Sequence, residues 1–310
     1  MFRLTTSLAV LILTTCLFGQ NLQKADDLNE RGIEHYKTGN YDAALEAFNR
    51  AIELTSRLSK PASARNNLLP GLFGHESSLD DNIRVVDPRT AVSLVNRGNV
   101  YFAMSDLDRA MRDYDAAIRI YPGLSNAYVA RASVWLIRGE SQRAMDDQTR
   151  AIKLDSKNIT AYIGRALTHL DQGDKKAALD DISAALAIDP DNSEALFRRG
   201  DIYRTTNDFA RALPDYERAI RVDRDCAGAY IGRAGIRFGE SKYEEAIVDY
   251  TNAIKADGRL AQPYKFRGFA LLLLNRDEEA QRDLDRALRM SPGYREEIEK
   301  NVELIKSKRK

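Results

Sequence analysis

Two consecutive 34-residue segments decide the fold of this chain. Residues 91–124 read AVSLVNRGNVYFAMSDLDRAMRDYDAAIRIYPGL, and residues 125–158 read SNAYVARASVWLIRGESQRAMDDQTRAIKLDSKN. In both, position 7 is arginine, position 8 is small, and positions 20 and 27 are alanine. The arginine recurs every 34 residues, as Arg97, Arg131, Arg165, Arg199, Arg233 and Arg267. A period this regular indicates stacked helical repeats.

A seventh copy lies upstream, where Arg31 and Gly32 occupy positions 7 and 8. Arg31 precedes Arg97 by 66 residues, which equals one period plus an insertion of 32 residues. We therefore assign the copies, in chain order, to residues 25–56, 91–124, 125–158, 159–192, 193–226, 227–260 and 261–294, with the insertion at 57–90.

Each copy has the pattern of a helical hairpin. Small residues at positions 8, 20 and 27 let two antiparallel helices approach closely, and bulky residues at positions 4, 11 and 24 fill the remaining space. The turn between the helices is marked by Gly39, Gly139, Gly173 or Asn207, and a following Asn or Asp can cap the second helix. Proline ends the second helix in three copies, at Pro122, Pro190 and Pro292.

This pattern resembles the tetratricopeptide repeat family over residues 25–294. The resemblance implies an all-α fold, a right-handed α-solenoid of seven helix-turn-helix copies that binds other proteins. Residues 295–310 continue the register as one more helix, with Ile298, Val302 and Ile305 on one side. We expect this helix to cap the solenoid, because the last hydrophobic face would otherwise meet water.

The first nineteen residues differ from the rest, since Arg3 precedes an apolar, threonine-containing run from Leu4 to Phe18. This pattern is typical of a secretory signal, and the run is shorter than the roughly 20 residues that span a bilayer. We predict a signal peptide at residues 1–19 and an exported, bacterial-type protein that is periplasmic or envelope-associated. Residues 13–16 also resemble a lipoprotein box, so cleavage after Gly19 and a lipid anchor on Cys16, attaching the N-terminus to the membrane, are both open.

Composition and motifs argue against catalysis. Lys and Arg total 47 against 46 for Asp and Glu, so net charge does not favour nucleic acid. His35, His75 and His169 lack a second ligand at metal-binding spacing. Two cysteines, Cys16 and Cys226, are too few for a disulfide framework. The sequence has no phosphate-binding loop or nucleophile motif. We predict no enzyme activity, no cofactor and no metal, and a protein or peptide partner rather than nucleic acid.

Position 23 is aspartate in the second to seventh copies: Asp113, Asp147, Asp181, Asp215, Asp249 and Asp283. We expect these aspartates to pair with the arginines at position 7. Because helices of adjacent copies pack on each other, the predicted pairing joins neighbours, for example Asp147 with Arg165. Such pairs fix register more than they add stability, since desolvation offsets much of the attraction.

The resemblance implies that positions 2, 5, 6, 9, 12 and 13 of the first helices face a ligand. Here these positions are mostly apolar, which disfavours recognition of chaperone tails. Glycine recurs along one stripe of the sixth copy, and charged residues replace the apolar ones in the fifth, where Pro214 is expected to bend the second helix. The predicted partner-binding groove comprises Val129, Leu136, Ile163, Gly164, Phe197, Arg198, Asp201, Arg204, Gly228, Ile231, Gly232, Gly235, Phe238 and Gly239.

The glycine stripe is interpreted as a shallow trough for a partner segment, so Gly232→Gln is expected to abolish binding without unfolding the chain. Alternatively, the glycines are only tolerated in the stack. Arg198 and Arg204 either meet an acidic group of the partner or are solvated. The apolar part of the insertion, Leu68 to Phe73, either occupies the trough or contacts a partner or a membrane.

We therefore predict a non-enzymatic scaffold or adaptor of the cell envelope that binds a partner segment in its groove. The alternative is a self-assembling structural component of an envelope complex. The identity of the partner, the oligomeric state and the role of the insertion do not follow from the sequence.

Overall fold

The computed structural model describes residues 2–57 and 87–308, and side chains from residue 19 onward. Within these ranges the chain is α-helical, with short connections and one 3-10 turn at Pro292–Tyr294. The helices are α1 (Phe2–Lys37), α2 (Tyr41–Arg57), α3 (Pro88–Ala103), α4 (Leu107–Ile120), α5 (Ser125–Ile137), α6 (Ser141–Leu154), α7 (Ile159–Asp171), α8 (Lys175–Ile188), α9 (Ser193–Thr205), α10 (Phe209–Val222), α11 (Ala227–Gly239), α12 (Tyr243–Ala256), α13 (Ala261–Leu273), α14 (Asp277–Met290) and α15 (Arg295–Ser307).

The all-α repeat architecture is confirmed, and every copy contains two helices joined by a short turn. The chain divides into two compact units, Met1–Thr168 and His169–Lys310. The insertion lies mostly outside the described residues, but Asp87 caps α3 and Pro88 begins it, so residues 88–90, assigned to the insertion, are helical. The side chain of Cys16 also lies outside the described residues.

The turn within each copy places one residue in the left-handed region at position 15. These residues are Gly39, Ser105, Gly139, Gly173, Asn207, Ser241 and Asn275, with φ between 58° and 82°. In four copies the next side chain caps the second helix, accepting from the backbone N–H three residues later at 2.9–3.3 Å: Asn40, Asp106, Asp174 and Asp208. The four turns predicted from the sequence are therefore confirmed, and Ser105, Ser241 and Asn275 complete the set.

Prolines follow the ends of three second helices as predicted, and Pro214 lies inside a fourth. Helices α4, α8 and α14 end two residues before Pro122, Pro190 and Pro292. Helix α10 runs through Pro214. It is 14 residues long, the same length as α12, the corresponding helix of the next copy. Pro214 thus lies within an uninterrupted helix.

The core repeats with the sequence. All fourteen alanines at positions 20 and 27 are 0% exposed, which brings the two helices of each hairpin into close contact. Glycine at position 8 makes room for the large residue at position 24. A Cβ on Gly98, for example, would lie 2.5 Å from the Tyr114 ring, and one on Gly32 would lie 2.5 Å from the Phe48 ring. The small and large positions are therefore complementary within one hairpin.

Arginine at position 7 binds the aspartate at position 23 of its own copy. Arg131 Nε and Nη2 donate to the two carboxylate oxygens of Asp147, both at 2.8 Å. Equivalent two-bond pairs, at 2.6–2.9 Å, are Arg97–Asp113, Arg199–Asp215, Arg233–Asp249 and Arg267–Asp283. The predicted pairing of Asp147 with Arg165 is wrong, because the antiparallel helices of one hairpin bring positions 7 and 23 together.

The link to the neighbouring copy uses the remaining guanidinium nitrogen. Arg131 Nη1 donates to Asp115, at position 25 of the preceding copy, at 2.8 Å. The same contact joins Arg97 to Asn49, Arg165 to Thr149 and Arg267 to Thr251, at 2.6–3.3 Å. The hydrogen bonds to Asp147 and Asp115 raise the pKa of the Arg131 guanidinium. Position 7 therefore stabilises its own hairpin and also its register with the copy before it.

The helix expected at residues 295–310 is α15. Its Ile298 is buried, and Val302 and Ile305 pack against the same cluster, which contains Leu284 and Phe269. The Lys265 side chain, only 7% exposed, pairs with Glu297 of α15 at 2.8 Å. Helix α15 therefore covers the last hydrophobic face of its compact unit.

Candidate functional site

The predicted groove residues of the first compact unit are half-buried. Val129 packs against the cluster around Tyr128 and Ala161, and Leu136 and Ile163 are likewise only partly exposed. Gly164 lies over Gln148, the exceptional residue at position 24, whose Nε2 would be 3.3 Å from an added Cβ. These residues therefore contribute to packing within the unit as well as to its surface.

The charged residues of the fifth copy have partners within the chain. Arg198 pairs with Glu194 at 2.7 Å and lies 4.9 Å from the centre of the Phe197 ring. Arg204 donates twice to Asp201, at 2.7 and 2.9 Å. Burial disfavours the charge of Arg204, but the hydrogen bonds and attraction to Asp201 outweigh it and raise its pKa. One alternative from the sequence was that both arginines are solvated. Instead, each has a carboxylate partner within the chain.

The glycine stripe of the sixth copy divides into a covered half and an open half. A Cβ on Gly228 would lie 2.6 Å from the Phe197 ring, and one on Gly232 would lie 2.3 Å from Tyr216. Gly235 and Gly239 are exposed, and an added Cβ would meet nothing within 4 Å. An open trough along all four glycines is therefore wrong, because aromatic rings of the fifth copy cover the first two.

Tyrosine at position 24 directs its hydroxyl towards position 9 of the same copy. Tyr114 donates to Asn99 at 2.8 Å, and Tyr216 donates to Asp201 at 3.1 Å. In the sixth copy the tyrosine is Tyr250, but position 9 is Gly235, which has no side chain. Among the described residues, none accepts a hydrogen bond from the Tyr250 hydroxyl; the residue is 1% exposed, and its hydroxyl oxygen is still reached by solvent.

Tyr250 is the residue that sequence reasoning missed. Burial raises the pKa of its phenol, which keeps the hydroxyl protonated, while the nearby Arg204 charge acts in the opposite direction. Phe266 stacks on the Tyr250 ring at 6.1 Å, and Phe238 meets Phe266 edge-on at 6.3 Å. The signal was available in the sequence, because only the sixth copy combines tyrosine at position 24 with glycine at position 9.

We call the group Arg204, Gly235, Phe238 and Gly239 the Gly235 surface. It combines a paired guanidinium, a half-buried aromatic ring and two glycines without covering side chains. Ile231, one turn earlier on α11, is half-buried. The surface offers hydrogen-bond donors next to an apolar edge, which suits a polypeptide segment with its carbonyl or carboxylate oxygens.

Groups for chemistry are sparse in the described residues. Between residues 19 and 57 and between 87 and 308, no three His, Cys, Asp or Glu side chains gather as a metal site would require. Cys226 is half-buried, and burial raises the pKa of its thiol, which disfavours the nucleophilic thiolate. In the described part of the chain, no helix carries an apolar stretch long enough to cross a membrane.

Comparison with protein families agrees with the repeat period. A tetratricopeptide repeat model matches residues 95–159, 163–215 and 203–261, and a second such model matches residues 25–57. The chain belongs to the tetratricopeptide repeat family. The matched segments include most of the hairpins described above, the Gly235 surface among them.

Individual tetratricopeptide proteins are more distant. The chain is 26% identical over 105 residues to small glutamine-rich tetratricopeptide repeat-containing protein 2 of Mycosarcoma maydis, an alignment that covers 33% of this chain. The chain spans about 30% of the length of that relative. A relationship of this extent does not transfer a partner.

Solved structures share the tetratricopeptide fold. A tetratricopeptide repeat protein from Parabacteroides merdae has a TM-score of 0.57 at 18% identity, with coverage of 91% of this chain and 99% of that one. Pseudomonas aeruginosa pilF has a TM-score of 0.58 at 20% identity, covering 66% and 92%. Yeast Tom70 has a TM-score of 0.60 at 21% identity, covering 92% and 57%. At these identities the similarity shows the fold alone.

Proposed function

We propose that this tetratricopeptide chain is a non-enzymatic scaffold or adaptor of the cell envelope that binds a partner segment at the Gly235 surface. The family supports the general role, because tetratricopeptide repeats bind protein or peptide partners. The observation that carries the site is the Tyr250 hydroxyl, which has no acceptor among the described residues because position 9, the acceptor Asn99 or Asp201 in other copies, is Gly235 here. A phenol hydroxyl without an acceptor in its own chain can donate a hydrogen bond to a carbonyl or carboxylate oxygen of a partner.

The fifth copy supports this proposal by contrast. There Asp201 accepts from both Tyr216 and Arg204, so the corresponding place is already occupied by the chain itself. The sixth copy offers the same tyrosine without the acid. We propose that a carbonyl or carboxylate oxygen of the partner takes this position, with the segment lying along Gly235 and Gly239 and its apolar side chains against Phe238.

Site-specific photo-cross-linking in the native host tests the surface. A photoreactive phenylalanine replaces Gly239 in one variant and Val248, which is 57% exposed on α12 of the same copy, in the control. We expect a discrete cross-linked partner from position 239 and none from 248. Adding Gly235→Asp should remove the cross-link, because aspartate would supply the acceptor internally, as Asp201 does.

The cross-linked species also separates the two functional hypotheses. A different protein supports the adaptor role, whereas a cross-link to a second copy of the chain supports the self-assembling structural role. Equal cross-linking from positions 239 and 248, or cross-linking that survives Gly235→Asp, contradicts binding at the Gly235 surface. Circular dichroism checks that each variant keeps the wild-type helix content.

The envelope location is proposed from the first nineteen residues alone. We expect the protein in the periplasmic or membrane fraction, in a form shortened at the N-terminus. Mass spectrometry distinguishes cleavage after Gly19 from a diacylated Cys16, and Cys16→Ala should abolish only the latter. A full-length protein in the cytosol contradicts the export proposal.

A further inference from the structure

The arginine at position 7 binds a carboxylate in five of the seven copies. In five copies its guanidinium holds the position 23 aspartate through two hydrogen bonds of 2.6–2.9 Å. In several copies a further acceptor comes from position 25 of the preceding second helix, such as Asp115 for Arg131. The arginine lies at the same place on the first helix of every copy. The paired copies therefore show which group a position 7 arginine binds, namely a carboxylate.

The first copy keeps the arginine but lacks both acceptors. Arg31 is at position 7, and position 23 is Ala47 instead of aspartate. Among the described helices, α1 and α2 pack on each other and on α3. Arg31 is exposed, whereas the side chains of its paired equivalents are 16–27% exposed.

A cavity of about 90 Å³ marks the place of the missing aspartate. Arg31, His35, Ala47, Glu46 and Arg50 line it. Its volume is that of roughly three water molecules, which is sufficient for a carboxylate group. Glu46 and Arg50 pair with each other at 2.7 Å and are 63% and 64% exposed, and among the described residues no carboxylate forms an ion pair with the exposed Arg31.

We infer that the first copy holds a carboxylate socket, in which Arg31 binds an aspartate or glutamate side chain presented by a helix of a protein partner. The helix packs on α1 and α2 as a preceding second helix packs on the later copies. Two features select this occupant: the Arg31 guanidinium selects a carboxylate, and in the third copy the carboxylate that reaches the equivalent Arg131 Nη1 is Asp115, which a helix carries. The socket is in the other compact unit from the Gly235 surface, so the two proposals fail independently.

Binding of a defined helical peptide to the full chain tests the socket. The probe is a stapled peptide with the sequence of residues 107–120, the second helix whose Asp115 reaches Arg131. We expect saturable binding by fluorescence anisotropy, weakened about tenfold or more by Arg31→Gln, because the change removes a charge-assisted hydrogen bond. Ala47→Asp should change the affinity less than about twofold, because Arg131 holds Asp147 through Nε and Nη2 while its Nη1 still donates to Asp115. A peptide carrying the change Asp115→Asn should also bind about tenfold more weakly.

Lys37→Gln is the control, because it removes an exposed positive charge from α1 outside the cavity lining and should change the affinity less than about twofold. An NMR spectrum of the arginine side chains checks the geometry: in Ala47→Asp the Arg31 Nε–H signal should move to the range of the five paired arginines. Acetate at constant ionic strength should compete with the peptide. Absence of peptide binding, equal affinity for the peptides with and without the Asp115 carboxylate, or equal effects of the Arg31 and Lys37 changes would overturn the inference.

Discussion

Arg233 and Asp249 form the most buried of the position 7 to position 23 pairs, with side chains 16% and 1% exposed. Arg233 Nε and Nη2 donate to the two Asp249 oxygens at 2.9 and 2.7 Å, and Arg237 Nη1 donates a third bond at 2.8 Å. A carboxylate held by three guanidinium bonds ties the two helices of the sixth copy together. Its loss leaves a partly buried positive charge without compensation.

Asp249→Ala should therefore lower the free energy of unfolding by about 3 kcal/mol or more, because it leaves Arg233 unpaired in a desolvated place. The matched control is Glu245→Ala, since Glu245 is 56% exposed and contacts Arg237 at 3.4 Å. That change should lower the free energy by less than about 1 kcal/mol. Urea unfolding followed by circular dichroism measures both, and equal effects would show that the buried pair is not stabilising.

The two halves of the glycine stripe should respond oppositely to alanine. Gly232→Ala places a methyl group 2.3 Å from Tyr216, so we expect a loss of about 1–3 kcal/mol in the free energy of unfolding. Gly235→Ala meets no atom within 4 Å and should gain about 0.5–1 kcal/mol from helix propensity. Gly232→Gln, expected from the sequence to leave the fold intact, should instead destabilise it. Thermal and urea unfolding of the two alanine variants provide the comparison, and a stable Gly232→Ala would contradict the packing described here.

Left-handed residues at the turns provide a third test. Ser241 has φ of 62°, a conformation that glycine adopts without strain, whereas Gly139 has φ of 76° at the same position of another copy. Ser241→Gly should raise the free energy of unfolding by about 0.5–1 kcal/mol, and the reciprocal Gly139→Ser should lower it by a similar amount. Differential scanning calorimetry should give midpoint shifts of opposite sign. Shifts of the same sign would mean that the side-chain contacts of these turns outweigh the backbone term.

Buried tyrosines should limit stability in alkali. Burial raises the pKa of Tyr114, Tyr216 and Tyr250 above the ordinary value of 10.0. A pKa that is higher in the folded than in the unfolded chain means that folding favours the neutral phenol. The resulting contribution to the free energy of unfolding is complete below about pH 10 and is lost as the pH rises towards the pKa of the folded state. The free energy of unfolding should therefore fall above about pH 10.

The variant Tyr250→Phe should show a shallower decline, because it removes one of the three groups. Tyr121→Phe is the control, since its side chain is 43% exposed, and it should follow the wild-type curve. Urea unfolding at a series of pH values measures the slope. Parallel curves for Tyr250→Phe and the wild type would contradict the account of Tyr250 as a buried, proton-retaining phenol.

Much of the candidate site could have been found from the sequence. That aromatic rings cover two of the four stripe glycines could not. The contrast between Gly235 and Asp201 at position 9 is visible by aligning the copies, and so is the replacement of aspartate by Ala47. The covering of Gly228 by Phe197 and of Gly232 by Tyr216 is not, because it depends on how far a ring of one copy reaches across the next.

The period, the two-helix copies, their turns and the terminal helix α15 could all be predicted from the sequence alone. These features follow from local rules, which act within about one helix turn and are repeated in every copy: alanine at positions 20 and 27, a left-handed residue at position 15, and proline after the second helix. Repetition strengthens each signal, since the same residue type recurs where the same backbone conformation is needed.

The partners of the charged side chains and the accessibility of the glycines depend on tertiary packing and could not be predicted from the sequence. Asp147 is 16 residues from Arg131 and 18 from Arg165, so spacing does not distinguish them, and the antiparallel packing of one hairpin selects Arg131. The same holds for Tyr250, whose hydroxyl finds no acceptor among the described residues because the helix packed against it carries Gly235 at the facing position. Hydrogen bonds depend on distance and direction in space, and the repeat period specifies neither.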